Sequence, residues 1–180
     1  DSSPAWSPDG KFITHTSVTR PEVIDYAFSH LAVSPSKGGS TRVLTADLDR
    51  MIFSPEFTAD GGHILFLLED SGEQNLARIK TGGGEVERLV RGQNVVRAFN
   101  QGQESQLVVL VSSPHLPAEI FALSKGKLKQ RTFTNHALLE NIQLGEVVEL
   151  RFNSRDGTEI EGFVIKPPDF RKGSRYPAIL

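Results

Sequence analysis

Five histidines, His15, His30, His63, His115 and His136, are the side chains best suited to acid–base or metal chemistry near neutral pH. No two of them share a spacing that places metal ligands on one element. His63 opens an apolar run, and His115 and His136 fall in loop-like stretches. Structural or solvated histidines are therefore expected. Serine, histidine and aspartate are all present, but no Gly-x-Ser-x-Gly turn marks a serine as nucleophile. Thr81-Gly82-Gly83-Gly84 is followed by Glu85-Val86-Glu87-Arg88-Leu89, which alternates as a strand. A phosphate cradle needs a helix N-terminus behind its glycines, so a turn is predicted instead. Asp47, Asp49 and Asp60 lack calcium-loop spacing and read as turn formers. No catalytic, metal-binding or cofactor-binding residue is assigned, and no cofactor is expected.

One stretch keeps a functional accent. Residues 18–28 form a connection too long for a simple strand-to-strand turn, and they carry Arg20, Glu22 and Tyr26. A cation, an acid and an aromatic ring in a long surface loop suit the recognition of a small charged ligand. These three are the candidate contacts. The alternative is a loop that packs on a neighbouring sheet.

The elements that must carry such a loop are strands. The chain has 180 residues, 38% of them hydrophobic and 23% charged, which suits an ordered chain with a sizeable core. The net charge is −2 with the signs interspersed, so neither nucleic acid nor an anionic membrane is called for as partner. Cysteine is absent, which excludes disulfides, thiol catalysis and cysteine-bound zinc. No apolar run reaches the length of a membrane span. Nothing indicates a compartment.

Short apolar runs recur between Gly, Asp and Pro turns. Lys11 to Ser17 follows Ser7-Pro8-Asp9-Gly10, His63 to Glu69 follows Ala59-Asp60-Gly61-Gly62, and Gln106 to Val111 follows Asn100-Gln101-Gly102-Gln103. The last two have continuous apolar cores, which predicts strands buried on both faces. Ser3-Pro4-Ala5-Trp6-Ser7-Pro8-Asp9-Gly10 also matches Ser54-Pro55-Glu56-Phe57-Thr58-Ala59-Asp60-Gly61, with a degraded third copy over 96–102. The aromatic residues of the copies, Trp6, Phe57 and Phe99, are spaced by 51 and 42 residues. A four-stranded propeller blade takes roughly 40–50 residues. Three blades are predicted near 1–46, 52–91 and 94–134, with the aromatic of each first strand packed between blades. The 18–28 insertion accounts for the longer spacing.

The pattern then changes. Residues 135–145 read as a short helical turn and linker. Residues 146–152 and 158–165 alternate about Ser154-Arg155-Asp156-Gly157 as a hairpin, and Pro167-Pro168 ends it. A further strand is expected to start near Tyr176.

Ser3-Pro4-Ala5-Trp6-Ser7-Pro8-Asp9-Gly10-Lys11 resembles the repeat shared by TolB-type propellers and the prolyl oligopeptidase family. Ser112-Ser113-Pro114 with Pro117-Ala118-Glu119-Ile120-Phe121 resembles the last blade of acylaminoacyl-peptidase-like members of that family. Phe152 to Gly162, Val164-Ile165-Lys166-Pro167-Pro168 and Tyr176-Pro177-Ala178-Ile179-Leu180 resemble the start of their hydrolase domain. The resemblance implies an all-β chain here: the last blades of a β-propeller over 1–134, a linker over 135–145, and the opening hairpin of an α/β-hydrolase domain over 146–180. It implies a serine peptidase cleaving short peptides with a Ser-His-Asp triad placed beyond Leu180. This stretch alone is then expected to be inactive. The expected partners are peptide substrates and the rest of the hydrolase domain. Three blades leave propeller edges open, and self-association through them is expected. A TolB-like propeller that only binds a protein partner is the alternative.

Overall fold

The computed structural model describes residues 1–20, 22–23, 27–102 and 106–180. Two compact units divide them, Asp1–Phe133 and Thr134–Leu180.

The first unit is built from three antiparallel groups of four strands. The first group is β1 (Ser2–Trp6), β2 (Phe12–Val18), β3 (Ser29–Pro35) and β4 (Arg42–Val43). The second is β5 (Ile52–Phe57), β6 (His63–Asp70), β7 (Glu73–Lys80) and β8 (Glu87–Arg88). The third is β9 (Val95–Gln101), β10 (Leu107–Ser113), β11 (Leu116–Ser124) and β12 (Lys127–Gln130). Within each group, neighbours in sequence are neighbours in the sheet. The second and third groups touch through one parallel pair, Gln74 with Val95, so their strands run on as one larger sheet. The nearly all-β architecture agrees with the expectation from the repeat.

Turn chemistry sets these registers. At the β1–β2 turn, the Ser7 hydroxyl donates to Asp9 (2.7 Å) and accepts from the Phe12 amide (2.9 Å). Asp9 also accepts from the Lys11 amide (3.1 Å). The β5–β6 turn repeats this with Thr58, Asp60, Gly62 and His63. The glycine after each aspartate, Gly10 and Gly61, has φ near +70°, where a side chain would be strained. Hydrogen bonds from the Ser7 hydroxyl and the Lys11 amide hold the Asp9 carboxyl down at about 2. Asp60 is lowered by the Thr58 hydroxyl and the Gly62 amide.

The three groups stack face to face. Cross-strand pairs share a face, so Phe12, Thr14, Thr16, Leu31 and Val33 point one way from the first group. Leu31 and Val33 meet Ile52, Phe57, Ile64, Phe66, Leu68, Ala77 and Ile79 in one core cluster. The alternate residues of the second group, Leu65, Leu67 and Leu76, meet Val96, Val109, Val111 and Leu123 in another. Hence β6 is buried on both faces from Ile64 to Leu68. β10 departs from expectation. Val109 and Val111 are buried, whereas Val108 is 42% exposed, because no sheet among the described residues covers its outward face.

Trp6 departs too. It pairs with Ile13, on the face of the first group turned away from the second, and is 64% exposed. Phe57 occupies the matching place in the second group and is 6% exposed, because the first group lies against it.

In the second unit a single-turn helix α1 (His136–Leu139) precedes the hairpin of β13 (Val147–Asn153) and β14 (Glu159–Ile165). Its turn repeats the propeller turn. The Ser154 hydroxyl donates to Asp156, which also accepts from the Thr158 amide (3.1 Å). These bonds hold the Asp156 carboxyl at about 2. Residues 176–180 form no strand, contrary to expectation. A strand needs a hydrogen-bonded partner, and none pairs with them among the described residues. Tyr176 instead stacks on Phe170 at 5.3 Å and accepts from the Arg171 amide (2.8 Å).

Burial separates two residues that the repeat makes equivalent. Phe57→Ala is expected to cost about 3–5 kcal/mol in urea unfolding, and Trp6→Ala, at micromolar concentration, about 0.5 kcal/mol or less. Equal losses would contradict this stacking.

Candidate functional site

Strand direction decides which loops share a rim. In each group the first-to-second turn lies at one rim, and the second-to-third connection lies at the other. Contacts keep the groups in line. Arg42 donates to the carbonyls of Thr81 (3.2 Å) and Gly82 (3.4 Å), and Gln101 donates to that of Phe57 (2.8 Å), on the Asp-Gly rim. Gln74 donates to the Val96 carbonyl (2.7 Å) on the other. That second rim carries both ends of the 18–28 connection, the Asp70–Glu73 and Ser113–Leu116 turns, and the end of β12. The chain therefore leaves its first unit from the rim that holds the candidate residues.

Two of those residues meet there. Arg20 Nε lies 3.4 Å from Glu22 Oε1, with side chains 75% and 66% exposed. An exposed pair of this kind adds little stability, so both groups are free of structural duty. Tyr26 lies outside the described residues. Among the described residues, clefts open elsewhere. One of about 650 Å³ lies between the second and third groups, beside Arg78, Leu89, Leu107 and Leu123. The other, of about 180 Å³, lies at the Asp-Gly rim beside Pro8, Phe12, Phe57 and Asp60. Neither includes Arg20 or Glu22.

The rim opposite the Asp-Gly turns holds an ion cluster that no local motif announces. Asp70 accepts from Arg50 Nε (2.5 Å) and from Arg88 Nη2. These residues are 20 and 18 positions from Asp70, and only the fold of β5 to β8 unites them. Partial burial works against the Asp70 carboxylate, but hydrogen bonds and charge from Arg88 and Arg50 outweigh it and hold its carboxyl below the usual range. Two guanidinium groups on one carboxylate leave a net positive charge within the cluster.

His15, His30 and the 81–84 stretch are structural. His15 is buried, with ring nitrogens 3.0 Å from the Ser34 hydroxyl and 3.3 Å from the Thr16 carbonyl. His30 is buried against the Thr45 carbonyl (2.8 Å). The 81–84 stretch is a turn whose carbonyls receive Arg42, the reverse of an anion cradle. No group of three metal-ligating side chains occurs among the described residues.

The folded-state value of Asp70 is depressed, so its stabilisation is present above the unfolded value near 4 and is lost as pH falls through the lower folded value. Asp70→Asn is expected to cost about 1.5–3 kcal/mol at pH 7. It should also flatten the loss of stability on acidification below pH 5. Parallel melting-temperature curves for parent and variant would contradict this.

No protein-family model matches this chain. Dipeptidyl-peptidase 5 of Porphyromonas gingivalis is 26% identical over 185 residues, which cover 100% of this chain and 26% of that relative. Thus the chain spans about a quarter of the length of the relative. The structure of an acylaminoacyl peptidase in complex with Z-Gly-Gly-Phe-chloromethyl ketone superposes with a TM-score of 0.77 at 22% identity, over 94% of this chain and 25% of that one. The β-propeller domain of the Trilobed protease from Pyrococcus furiosus, described as having an open velcro topology, superposes with a TM-score of 0.57 at 20% identity. It covers 71% of this chain and 38% of that one. The fold of these neighbours and the sequence of the relative agree with the repeat and the hairpin read from the residues. They bear out the resemblance: this chain is a propeller-bearing segment related to the peptidases of the prolyl oligopeptidase family.

Proposed function

We propose that this chain is the substrate-gating propeller portion of a serine peptidase that hydrolyses short peptides. Its Ser-His-Asp triad would lie beyond Leu180, in a hydrolase domain that residues 146–180 begin. The observation that carries this reading is topological. The end of β12 and both ends of the 18–28 connection lie at one rim of the first unit, so Arg20 and Glu22 are on the side from which the chain leaves that unit. A propeller that gates an active site must present its recognition groups on that side.

Arg20 would meet the carboxylate end of a peptide, Glu22 its amino end, and Tyr26 would supply an apolar wall. The Arg20–Glu22 pair suits this role, because each group can exchange an exposed partner for a charged substrate group at little cost. Bond cleavage is left to groups elsewhere. The chain has no Gly-x-Ser-x-Gly turn.

Two experiments test this. A fluorophosphonate probe is expected to label the full-length enzyme and to leave this 180-residue chain unlabelled. Labelling of a serine within the chain would overturn the placement of the triad. Arg20→Ala and Glu22→Ala in the full-length enzyme are expected to lower kcat/KM roughly 10- to 150-fold, equivalent to about 1.5–3 kcal/mol. The loss should fall on peptides with the matching free terminus and spare those with it blocked. If both variants keep the parent's ratio of rates on blocked and free peptides, the loop has no part in recognition.

A further inference from the structure

The second and third groups leave a cleft of about 650 Å³ between them. Leu107 pairs with Leu123 where β10 begins and β11 ends, so the cleft opens toward the rim of the Asp-Gly turns. Its apolar floor is Leu89, Leu107 and Leu123, which pack in the core that the two groups build together. Arg78 pairs with Leu65 and with Glu87, so its side chain stands on the face that the second group turns to the third. Both walls therefore belong to groups that this chain supplies itself. Small-ligand sites typically have volumes of about 300–1,000 Å³, an apolar lining and a few well-placed polar groups.

The charges of the lining favour an anion. Among the described residues it carries three cations, Arg78, Lys125 and Arg131, and one carboxylate, Glu87. Arg78 Nε donates to Glu87 (2.8 Å), which neutralises that pair. Lys125 and Arg131 are exposed and take part in no ion pair among the described residues. Lys125 stands at φ +50°, ahead of Gly126 at φ +72°. These two left-handed residues form the turn between β11 and β12, where asparagine or aspartate fits the first place better than lysine. A cation is thus held beside the cleft in a backbone conformation that does not favour it.

We propose that this cleft binds the carboxyl end of a peptide whose last residue is apolar. The terminal side chain lies on Leu89, Leu107 and Leu123. The carboxylate lies against Lys125 and Arg131, whose donors gain a charged acceptor in place of water. The Gln106 amide and the Ser124 hydroxyl, also in the lining, offer hydrogen bonds to the peptide group before it. The inference rests on the cleft alone and uses neither the 18–28 loop nor a triad.

N-acetyl-photoleucine, whose side-chain diazirine cross-links on illumination, is a suitable probe, and its carboxamide is the control. With the full-length protein, the acid is expected to cross-link at Leu89 or within residues 106–124, mapped by mass spectrometry. Below saturation the amide should cross-link there roughly 10- to 150-fold less, the difference that a charge-assisted contact makes. Free N-acetyl-leucine should compete, and N-acetylglycine, which lacks the apolar side chain, should not. The double variant Lys125→Gln with Arg131→Gln is expected to lose the preference for the acid while its thermal unfolding matches the parent. Absence of cross-linking at millimolar probe overturns the proposal, as does cross-linking that maps only outside the cleft. So does equal labelling by acid and amide, equal competition by N-acetylglycine, or a preference for the acid that survives in the folded double variant. If that variant does not fold, the comparison of acid and amide in the parent decides. A full-length protein that fluorophosphonate fails to label would strike the peptidase reading and leave this result standing.

Discussion

Burial of the second group on both faces is the constraint on which the rest of the first unit depends. Ile64, Phe66 and Leu68 fill one interface, and Leu65 and Leu67 fill the other, all within one strand. A strand of this kind is stable only between two sheets, since alone it would expose apolar surface on both sides. The outer groups need only one apolar face each to complete the stack. Polar residues can then stand on their outward sides, as His15, His30 and Ser34 do on the first group. Loops at the rims are held by these strands, so Arg20, Glu22 and the Arg50–Asp70–Arg88 cluster share a rigid support without contributing to the core.

Register is the second constraint, and a repeated hydroxyl–aspartate–glycine turn sets it. A slip of one residue in β6 would exchange the two interfaces, because alternate side chains point to opposite faces. The Thr58–Asp60 turn opposes such a slip by binding its own backbone at both ends of the reversal. The Ser154–Asp156 turn does the same for the hairpin of the second unit. One local device thus serves both units.

Much of this was legible in the residues. Asp-Gly turns need left-handed glycines at fixed places, and apolar runs of five to seven residues have few alternatives to strands, so the three groups and the hairpin followed from local chemistry. What was not legible depends on neighbours distant in sequence. β6 and β10 have similar apolar runs, yet only β6 is covered on both sides, which no local pattern encodes. Trp6 and Phe57 occupy the same motif position and differ in burial for the same reason. The apolar stretch at 176–180 had strand composition without a partner. The Asp70 cluster was hidden because arginine and aspartate are ordinary surface residues until the fold gathers them from β8, the β6 end and the segment before β5.

Residue-resolved native-state hydrogen exchange tests most directly whether the second group holds the first unit together. Amides of Ile64–Leu68 and Leu76–Ile79 are expected to exchange only through global unfolding, and so to be the most protected in the chain. Those of β13 and β14, whose side chains are largely exposed, should exchange through local opening well below that limit. Protection of the hairpin, or of β2 and β3, that exceeds protection of β6 and β7 would contradict the account.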